Sequence, residues 1–182
     1  NGRAVSPAPF PRIPYREAML KYGSDKPDLR NPIVITDVSE HFKGSGFGLF
    51  ARLVEGGSVV RAIPAPNTAD KSRKFFDDMN DWARSEGHAG LGYITQKGGE
   101  LGGPIAKNHG EEATAKLIEA LGLGPNDGVF FAAGKESQAA KLAGAARTRV
   151  GEQLGLIDQN KFEFCWIVDF PMYEYDEDAK KV

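Results

Sequence analysis

The residue types that most often carry chemistry are few in this sequence. Its three histidines, His41, His88 and His109, lie far apart, and no two of them have the spacing of paired metal ligands. Cys165 is the single cysteine, so no disulfide can form within the chain and a zinc site is not expected. Because it stands in the apolar run 164–168, we interpret it as a small buried hydrophobic residue and not as a reactive thiol.

Two glycine-rich stretches have the composition of phosphate-binding loops. Residues 44–48 read Gly-Ser-Gly-Phe-Gly, but a phosphate-binding loop follows a strand and begins a helix. This stretch is predicted to lead into a strand, so we interpret it as a turn. Residues 122–128 are interpreted as the end of a helix followed by a turn. No nucleophile elbow or serine–histidine–aspartate order is recognised.

A group of acidic residues lies near the C-terminal end of the sequence: Asp169, Glu174, Asp176, Glu177 and Asp178. Carboxylate oxygens are the ligands that Mg²⁺ prefers, so this group raises the question of a cation site. Closely spaced carboxylates on a terminal loop are more often only solvated, and we favour that interpretation. From its chemistry alone, the sequence predicts an α+β domain without an assigned activity.

The bulk composition is that of an ordinary globular protein. The chain has 182 residues, of which 41% are hydrophobic, and a formal net charge of -2. This charge argues against an autonomous nucleic-acid-binding protein, which usually carries a basic surface, although a local basic patch remains compatible with it. No apolar run approaches the roughly 18 residues of a membrane helix. No signal peptide is recognised, and we expect a cytoplasmic protein that does not enter a membrane.

The pattern of hydrophobic residues predicts short strands alternating with helices. Helices are predicted at residues 15–22, 68–86, 111–121 and 135–154, with a further short helix that is capped by Thr36 or Asp37 and ends at Phe42. Strands are predicted at residues 47–54, 59–63, 92–96, 128–133 and 162–170. Gly56 and Gly57 are expected to join the first two strands as a hairpin. The glycine-rich residues 97–103 are expected to be mobile. The predicted class is α+β, a two-layer domain with an antiparallel or mixed sheet covered by helices on one face.

Six blocks of the sequence, in order, resemble the bacterial-type aspartyl-tRNA synthetases, a family of class II aminoacyl-tRNA synthetases. Two blocks are similar to the junction between the catalytic domain and the insertion (GAD) domain, three to the insertion domain itself, and one to the strand that returns to the catalytic domain. In chain order they are FPRIPYREA at 10–18, YGSDKPDLR at 22–30, GPIAKN at 103–108, DGVFFAA at 127–133, GAARTRVG at 144–151 and WIVDFPMYE at 166–174.

The resemblance implies that the chain is an internal piece of such a synthetase. Residues 1–30 would be a flanking segment of the class II catalytic domain, 31–160 the insertion domain, and 161–182 the return to the catalytic domain. The alternative is a free-standing RNA- or protein-binding module, related to the insert in a subunit of a tRNA-dependent amidotransferase. Because segments similar to both synthetase junctions are present, we favour the first interpretation.

The resemblance also implies what the parent enzyme does. It would attach aspartate to tRNA(Asp), using ATP and Mg²⁺ through an aspartyl-adenylate, and many members of the family also charge tRNA(Asn). The parent is expected to be a homodimer. The sequence contains no recognisable motif 2, motif 3 or anticodon-binding OB-fold, so the chain by itself is expected to be inactive. No catalytic residue, cofactor or metal site is predicted within it.

Two sets of candidate site residues follow from the resemblance. Ser24, Asp25, Lys26, Asp28 and Arg30 are candidates for the rim of the parent's active site. The alternative is that this Asp-Lys-Pro-Asp run is a rigid linker held by its own ion pairs. Lys107, Arg147 and Arg149 are candidates for contact with tRNA phosphates, which position RNA without reading its sequence. The alternative for these three is a solvated charge on a helix surface.

Overall fold

A computed structural model describes residues 2–173, 180 and 181. Its helices and strands follow in the order β1 (Ala4–Val5), β2 (Arg12–Pro14), α1 (Tyr15–Tyr22), β3 (Thr36–Asp37), α2 (Ser39–Phe42), α3 (Gly48–Glu55), β4 (Val59–Ala65), α4 (Arg73–Ser85), β5 (Gly92–Lys97), β6 (Glu100–Gly102), α5 (Pro104–His109), α6 (Glu111–Ala120), β7 (Gly128–Gly134), α7 (Glu136–Gln153), β8 (Lys161–Phe162) and β9 (Trp166–Val168). Within these residues, no helix combines the length and apolar character that crossing a bilayer requires.

The centre of the fold is an antiparallel sheet of five strands in the order β3-β4-β7-β5-β6. Strands β4 and β7 pair along their full length, with Ala62 opposite Phe131. Strand β5 pairs with the other edge of β7, with Tyr93 opposite Phe130. The predicted α+β class and antiparallel sheet are confirmed.

Helices cover both faces of this sheet, because alternate residues of a strand point in opposite directions. Ile63 and Phe130 lie in one apolar cluster with α4 and α7, which contribute Phe76, Met79, Ala83, Leu142, Ala143, Ala146 and Val150. Ala62 and Phe131 lie in a second cluster with α2, α3, α5 and α6, which contribute Phe42, Phe50, Ile105 and Leu117. The expected two-layer arrangement is therefore corrected to three layers. The near-continuous apolar runs of β4 and β7 are typical of strands buried on both faces.

The largest difference from the sequence-based prediction concerns residues 47–54. They were expected to form a strand, but they form helix α3, in which Phe50 and Val54 are buried against the second cluster. Phe47, Phe50 and Val54 recur at helical spacing, and this period prevails over the β propensity of the individual residues. Strand β4 consequently pairs with β3 and β7, and the predicted hairpin through Gly56 is wrong.

Smaller differences from the prediction concern the hairpin of β5 and β6, helix α5 and the glycine-rich residues 44–48. Within the stretch 97–103, whose expected mobility stays a prediction, residues 97–102 belong to an antiparallel hairpin of β5 and β6 in which Lys97 lies opposite Glu100. Helix α5 directly follows it and was not predicted. Residues 44–47 lie between helices α2 and α3, and Gly48 begins α3, so the expected strand after them is absent. No strand directly precedes them either, as it would precede a phosphate-binding loop.

The two flanking segments meet in short parallel pairs of strands. Strand β2 pairs with β9, with Ile13 opposite Ile167, and β1 pairs with β8. The predicted strand 162–170 is thus two short strands, and β9 adds a hydrogen bond of 2.8 Å from the Trp166 N–H to the Pro11 carbonyl. The segments before and after the central sheet therefore leave it at one place.

Candidate functional site

The segment after helix α1 is pressed directly against helix α7. Gly23 ends α1 in the left-handed region, with φ of 66°. A Cβ atom on Gly23 would lie 2.5 Å from the backbone nitrogen of Gly144, and a Cβ atom on Gly144 would lie 2.6 Å from the Gly23 carbonyl oxygen. Neither position has room for a side chain, so the two backbones are in contact.

Arg147 of α7 holds the same segment through its guanidinium group. Its side chain is almost fully buried, with the residue 2% exposed. Nε donates to the Ile33 carbonyl at 2.6 Å, and Nη2 donates to the carbonyls of Asp28 at 3.0 Å and Asn31 at 2.7 Å. The group also stands 4.9 Å above the ring centre of Tyr22. Burial lowers the pKa of Arg147, but an arginine remains charged in proteins.

Asn31 completes this attachment and was not anticipated from the sequence. Its Nδ2 donates to the Arg147 carbonyl at 2.9 Å, while its Oδ1 accepts the Ile33 N–H at 3.1 Å. The amide packs against Gly151, where an added Cβ would lie 2.8 Å from the Asn31 Cγ. Asparagine and arginine thus exchange hydrogen bonds across the gap between the segment and α7.

The four charged residues among the five rim candidates form ion pairs with one another. Arg30 donates from Nε and Nη2 to the two carboxylate oxygens of Asp28, at 2.9 and 2.7 Å. These hydrogen bonds from Arg30 lower the pKa of Asp28, against an opposing effect of burial. Lys26 pairs with Asp25 at 2.7 Å, and its backbone N–H donates to the Ser24 hydroxyl at 3.0 Å. This geometry is compatible with the rigid linker, and contact with a substrate stays a prediction.

The three candidates for tRNA contact do not lie on one surface. Lys107 is exposed on α5, which packs on the second cluster. Arg149 is half-buried on α7, on the opposite face of the sheet, with its guanidinium 5.0 Å from the ring centre of Trp82. Arg147 is committed to three backbone carbonyls inside the protein. Lys107 is thus the one exposed cation of the three, and contact with tRNA stays a prediction.

A cavity of about 530 Å³ lies beside Lys107 and is lined by four cationic residues and no carboxylate. The cations come from four parts of the chain. Lys71 precedes α4, Arg73 begins it, Lys97 ends β5 and Lys107 lies on α5. Lys71, Arg73 and Lys97 were not identified as candidate site residues from the sequence. The signal was present in residues 71–74, which place three cations at the start of a predicted helix, where acidic residues are normally preferred.

Glycines shape two walls of this cavity. Gly103, with φ of 100°, starts α5 directly over Tyr93, since a Cβ there would lie 2.9 Å from the Tyr93 carbonyl oxygen. Gly98 and Gly99 make the turn of the β5–β6 hairpin, with φ of 59° and 89°. The Gly98 N–H donates to Asn126 Oδ1 at 3.1 Å, which attaches the hairpin to the neighbouring loop. These contacts fix the positions of Lys97 and Lys107 relative to each other.

Ser45 and His109 form a hydrogen-bonded pair that their separation of 64 residues concealed. Ser45 Oγ and His109 Nδ1 are 2.8 Å apart, and the imidazole stacks 4.7 Å from the ring centre of Phe42. His109 is 6% exposed, and burial lowers its pKa, with the charge of His41 as a second cause. No described residue bonds its Nε2, so the third group that orients a catalytic histidine is missing. We interpret the pair as structural.

The remaining candidates for chemistry are dispersed. In residues 2–173, 180 and 181, no three His, Cys, Asp or Glu side chains are grouped to hold a metal ion. Cys165 is partly exposed and not fully buried as expected, and burial raises the pKa of its thiol, which reduces its thiolate fraction. Asp169 is described, whereas Glu174, Asp176, Glu177 and Asp178 lie outside the described residues.

Comparison with known proteins confirms the resemblance drawn from the six sequence blocks. The chain is 74% identical to the aspartate–tRNA(Asp/Asn) ligase of Novosphingobium aromaticivorans, 72% to that of Erythrobacter litoralis and 71% to that of Zymomonas mobilis. Each match covers the complete chain, which spans 30–31% of the length of these relatives. The family model of the GAD domain matches residues 50–143, which is more than half of the 182 residues. On this evidence the chain belongs to the GAD domain family.

Proposed function

We propose that this chain is the insertion domain of an aspartate–tRNA ligase together with flanking segments of its catalytic domain. The observation that supports this most strongly is the 74% identity to the Novosphingobium ligase, which extends over both flanks as well as the GAD domain. The longer protein would attach aspartate to tRNA(Asp) and, as the relatives' names state, to tRNA(Asn). We expect it to act as a homodimer in the cytoplasm.

The chemistry of this reaction is assigned to the rest of the longer protein. Activation of aspartate needs ATP and Mg²⁺, with positioned charges that stabilise the transition state. The described residues offer no grouped ligands for the ion. Because motif 2 and motif 3 are not recognised in the sequence, we expect ATP and Mg²⁺ to bind to the part of the longer protein that lies outside these 182 residues.

The chain itself would contribute to the positioning of the two domains and not to the chemistry of the reaction. Arg147, Asn31 and the contact of Gly23 with Gly144 fix residues 22–33 on helix α7. We infer that this attachment sets the orientation of the insertion domain relative to the catalytic domain. Ser24, Asp25, Lys26, Asp28 and Arg30 would then stand at the rim of the active site, with the Asp28–Arg30 pair as its rigid part.

The two flanking segments argue against the alternative interpretation, a free-standing RNA- or protein-binding module. Strands β2 and β9, which pair with each other, lie in the segments that resemble the two junctions with the catalytic domain. A binding module in an unrelated protein would have no need of both, and the ligase relatives match across both.

The test is an activity assay of the longer protein that contains this chain. Aspartate-dependent exchange between pyrophosphate and ATP should be measured, followed by charging of tRNA(Asp) and tRNA(Asn) transcripts. We expect both activities in the longer protein and neither in the 182-residue chain alone. Exchange that depends on a different amino acid, or no exchange at all, would overturn the assignment.

A further inference from the structure

We propose that the cavity beside Lys107 binds the phosphate backbone of RNA. We call it the basic groove and define it by its four cations, Lys71, Arg73, Lys97 and Lys107. The inference rests on the proposed function, because it identifies the surface by which the insertion domain would contact tRNA.

Three of the four cations of the basic groove have no carboxylate partner among the described residues. Among the described residues, no carboxylate forms an ion pair with Lys71, Lys97 or Lys107. By contrast, six lysines elsewhere do have such partners: Lys21, Lys26, Lys43, Lys74, Lys116 and Lys161. Arg73 contacts Asp77 through Nε alone, at 3.3 Å. A cavity lined by one sign of charge concentrates the field and attracts a ligand of the opposite sign.

The start of helix α4 adds to this field. A helix N-terminus carries partial positive charge and is stabilised by acidic residues or by a side chain that caps it. The first turn of α4 contains no acidic residue, and Ser72 at the N-cap makes no side-chain hydrogen bond. Arg73 instead begins the helix. This arrangement is unfavourable for α4 alone and becomes favourable when a phosphate group lies in front of it.

The shape of the basic groove favours a polymer over a single phosphate. A second cavity of about 440 Å³, lined mostly by apolar residues and by Asp77, shares Arg73, Tyr93 and Pro104 with the first, so the depression continues along the surface. Four cations also exceed the charge of one phosphate group, which is about -1.5 to -2 for a monoester. A chain of phosphodiesters, with charge repeated at regular intervals, matches both features. The names of the relatives identify RNA as the polymer that such proteins meet.

The test compares two variants with the same change in net charge. In the groove variant, Lys71→Gln, Arg73→Gln, Lys97→Gln and Lys107→Gln are combined. In the control variant, Lys43→Gln, Lys116→Gln, Lys135→Gln and Lys141→Gln are combined, all at exposed positions outside the groove. Binding of a tRNA(Asp) transcript by the 182-residue chain is measured by fluorescence anisotropy over a range of about 50 to 200 mM KCl.

We expect the groove variant to bind RNA at least about tenfold more weakly than the unmodified chain, because it loses four phosphate contacts. The slope of log Kd against log salt concentration should fall by about three, since each contact contributes roughly 0.7 to 0.9. The control variant should bind within about twofold of the unmodified chain. Circular dichroism checks that both variants fold. If the groove variant does not, the single change Lys107→Glu replaces it and should weaken binding about threefold.

Binding by a folded groove variant within about twofold of the unmodified chain would overturn the inference, as would equal weakening of both variants. The result is separable from that of the activity assay. Aspartate charging by the longer protein together with groove-independent RNA binding would refute the basic groove and leave the proposed function intact. Groove-dependent binding without aspartate charging would support the groove and refute the proposed function.

Discussion

Arg147 illustrates how a cation on a helix can belong to the interior. Its partners, Asp28, Asn31 and Ile33, lie 114 to 119 residues earlier in the chain, so no local pattern identifies them. The sequence did contain one indication. Ala143, Ala146 and Val150 recur at helical spacing, and position 147 falls within the same apolar stripe. A cation in an apolar stripe should be expected to find carbonyl partners, because an unpaired buried charge is very unfavourable.

We predict that Arg147→Met destabilises the chain by about 3 kcal/mol, because three carbonyl groups, two of them buried, would lose their donor while the new side chain fills similar space. Urea unfolding followed by circular dichroism measures this change. Arg149→Met on the same helix is the matched control and should cost less than about 1 kcal/mol, since Arg149 is only half-buried. Equal losses in the two variants would contradict the anchoring role of Arg147.

The burial of His109 leads to a prediction about how the free energy of unfolding depends on pH. Burial holds its pKa in the folded protein below the value of 6.5 for an ordinary histidine. As the pH falls below 6.5, the unfolded chain binds a proton that the folded chain does not, so the free energy of unfolding decreases. We expect His109→Gln to flatten this decrease between about pH 7 and about pH 5. Urea unfolding at several pH values measures it.

The matched control for His109 is His88→Gln, which should retain the pH dependence of the unmodified chain. His88 follows helix α4, away from the cluster formed by Phe42, Ser45 and His109. An unchanged slope in the His109 variant would show that burial of this imidazole does not set the response to acid.

At the scale of helices and strands, the sequence predicted the structure best where the apolar residues followed a single period. Helix α7 and strand β7 were predicted nearly to the residue, because one is long and periodic and the other is a short apolar run between turns. The prediction for residues 47–54 was wrong because their apolar residues fit both the helical period and the strand period over so short a span. The basic groove as a whole could not be predicted, since it joins side chains from three elements and from the loop before α4, whose packing no local pattern specifies.

Contact between helices α1 and α7 gives a prediction whose sign is informative. Replacing glycine inside a helix by alanine normally stabilises the helix by about 1 kcal/mol. At Gly144, the added Cβ would lie 2.6 Å from the Gly23 carbonyl oxygen, which belongs to the backbone and cannot rotate away. We therefore expect Gly144→Ala to destabilise the chain by about 2 kcal/mol, as measured by urea unfolding.

Gly48→Ala in helix α3 is the control for this reversal of sign. The nearest atom to its added Cβ is Arg52 Nη1 at 3.3 Å, the end of a flexible side chain. This variant should be neutral or stabilised by up to about 1 kcal/mol. A stabilising effect of Gly144→Ala as well would mean that α1 does not pack as closely on α7 as the structure indicates.

At the scale of the whole molecule, the pairing of β2 with β9 explains how an insertion can be carried without disturbing its host. The chain enters and leaves the central sheet through adjacent parallel strands, so a catalytic domain would need to provide only one attachment point. The same segments carry exposed apolar side chains, with Trp166 59% and Met172 85% exposed. Exposed apolar groups of this size, on β9 and in the residues that follow it, are typical of a surface that another part of a protein covers.

The final prediction follows from that surface. In the isolated chain, Trp166→Ser should shift the thermal unfolding midpoint by less than about 2 °C, because more than half of the side chain is already in water. In the longer protein, where we expect the rest of the catalytic domain to cover Trp166, the same change should lower the midpoint by about 5 °C or more. Leu49→Ser is the control, since Leu49 is 53% exposed on α3, in the segment 31–160 that we expect to be the insertion domain, and should have a small effect in both proteins. Differential scanning calorimetry makes the comparison, and small, equal shifts for Trp166→Ser in the two proteins would mean that this surface remains exposed in the longer one.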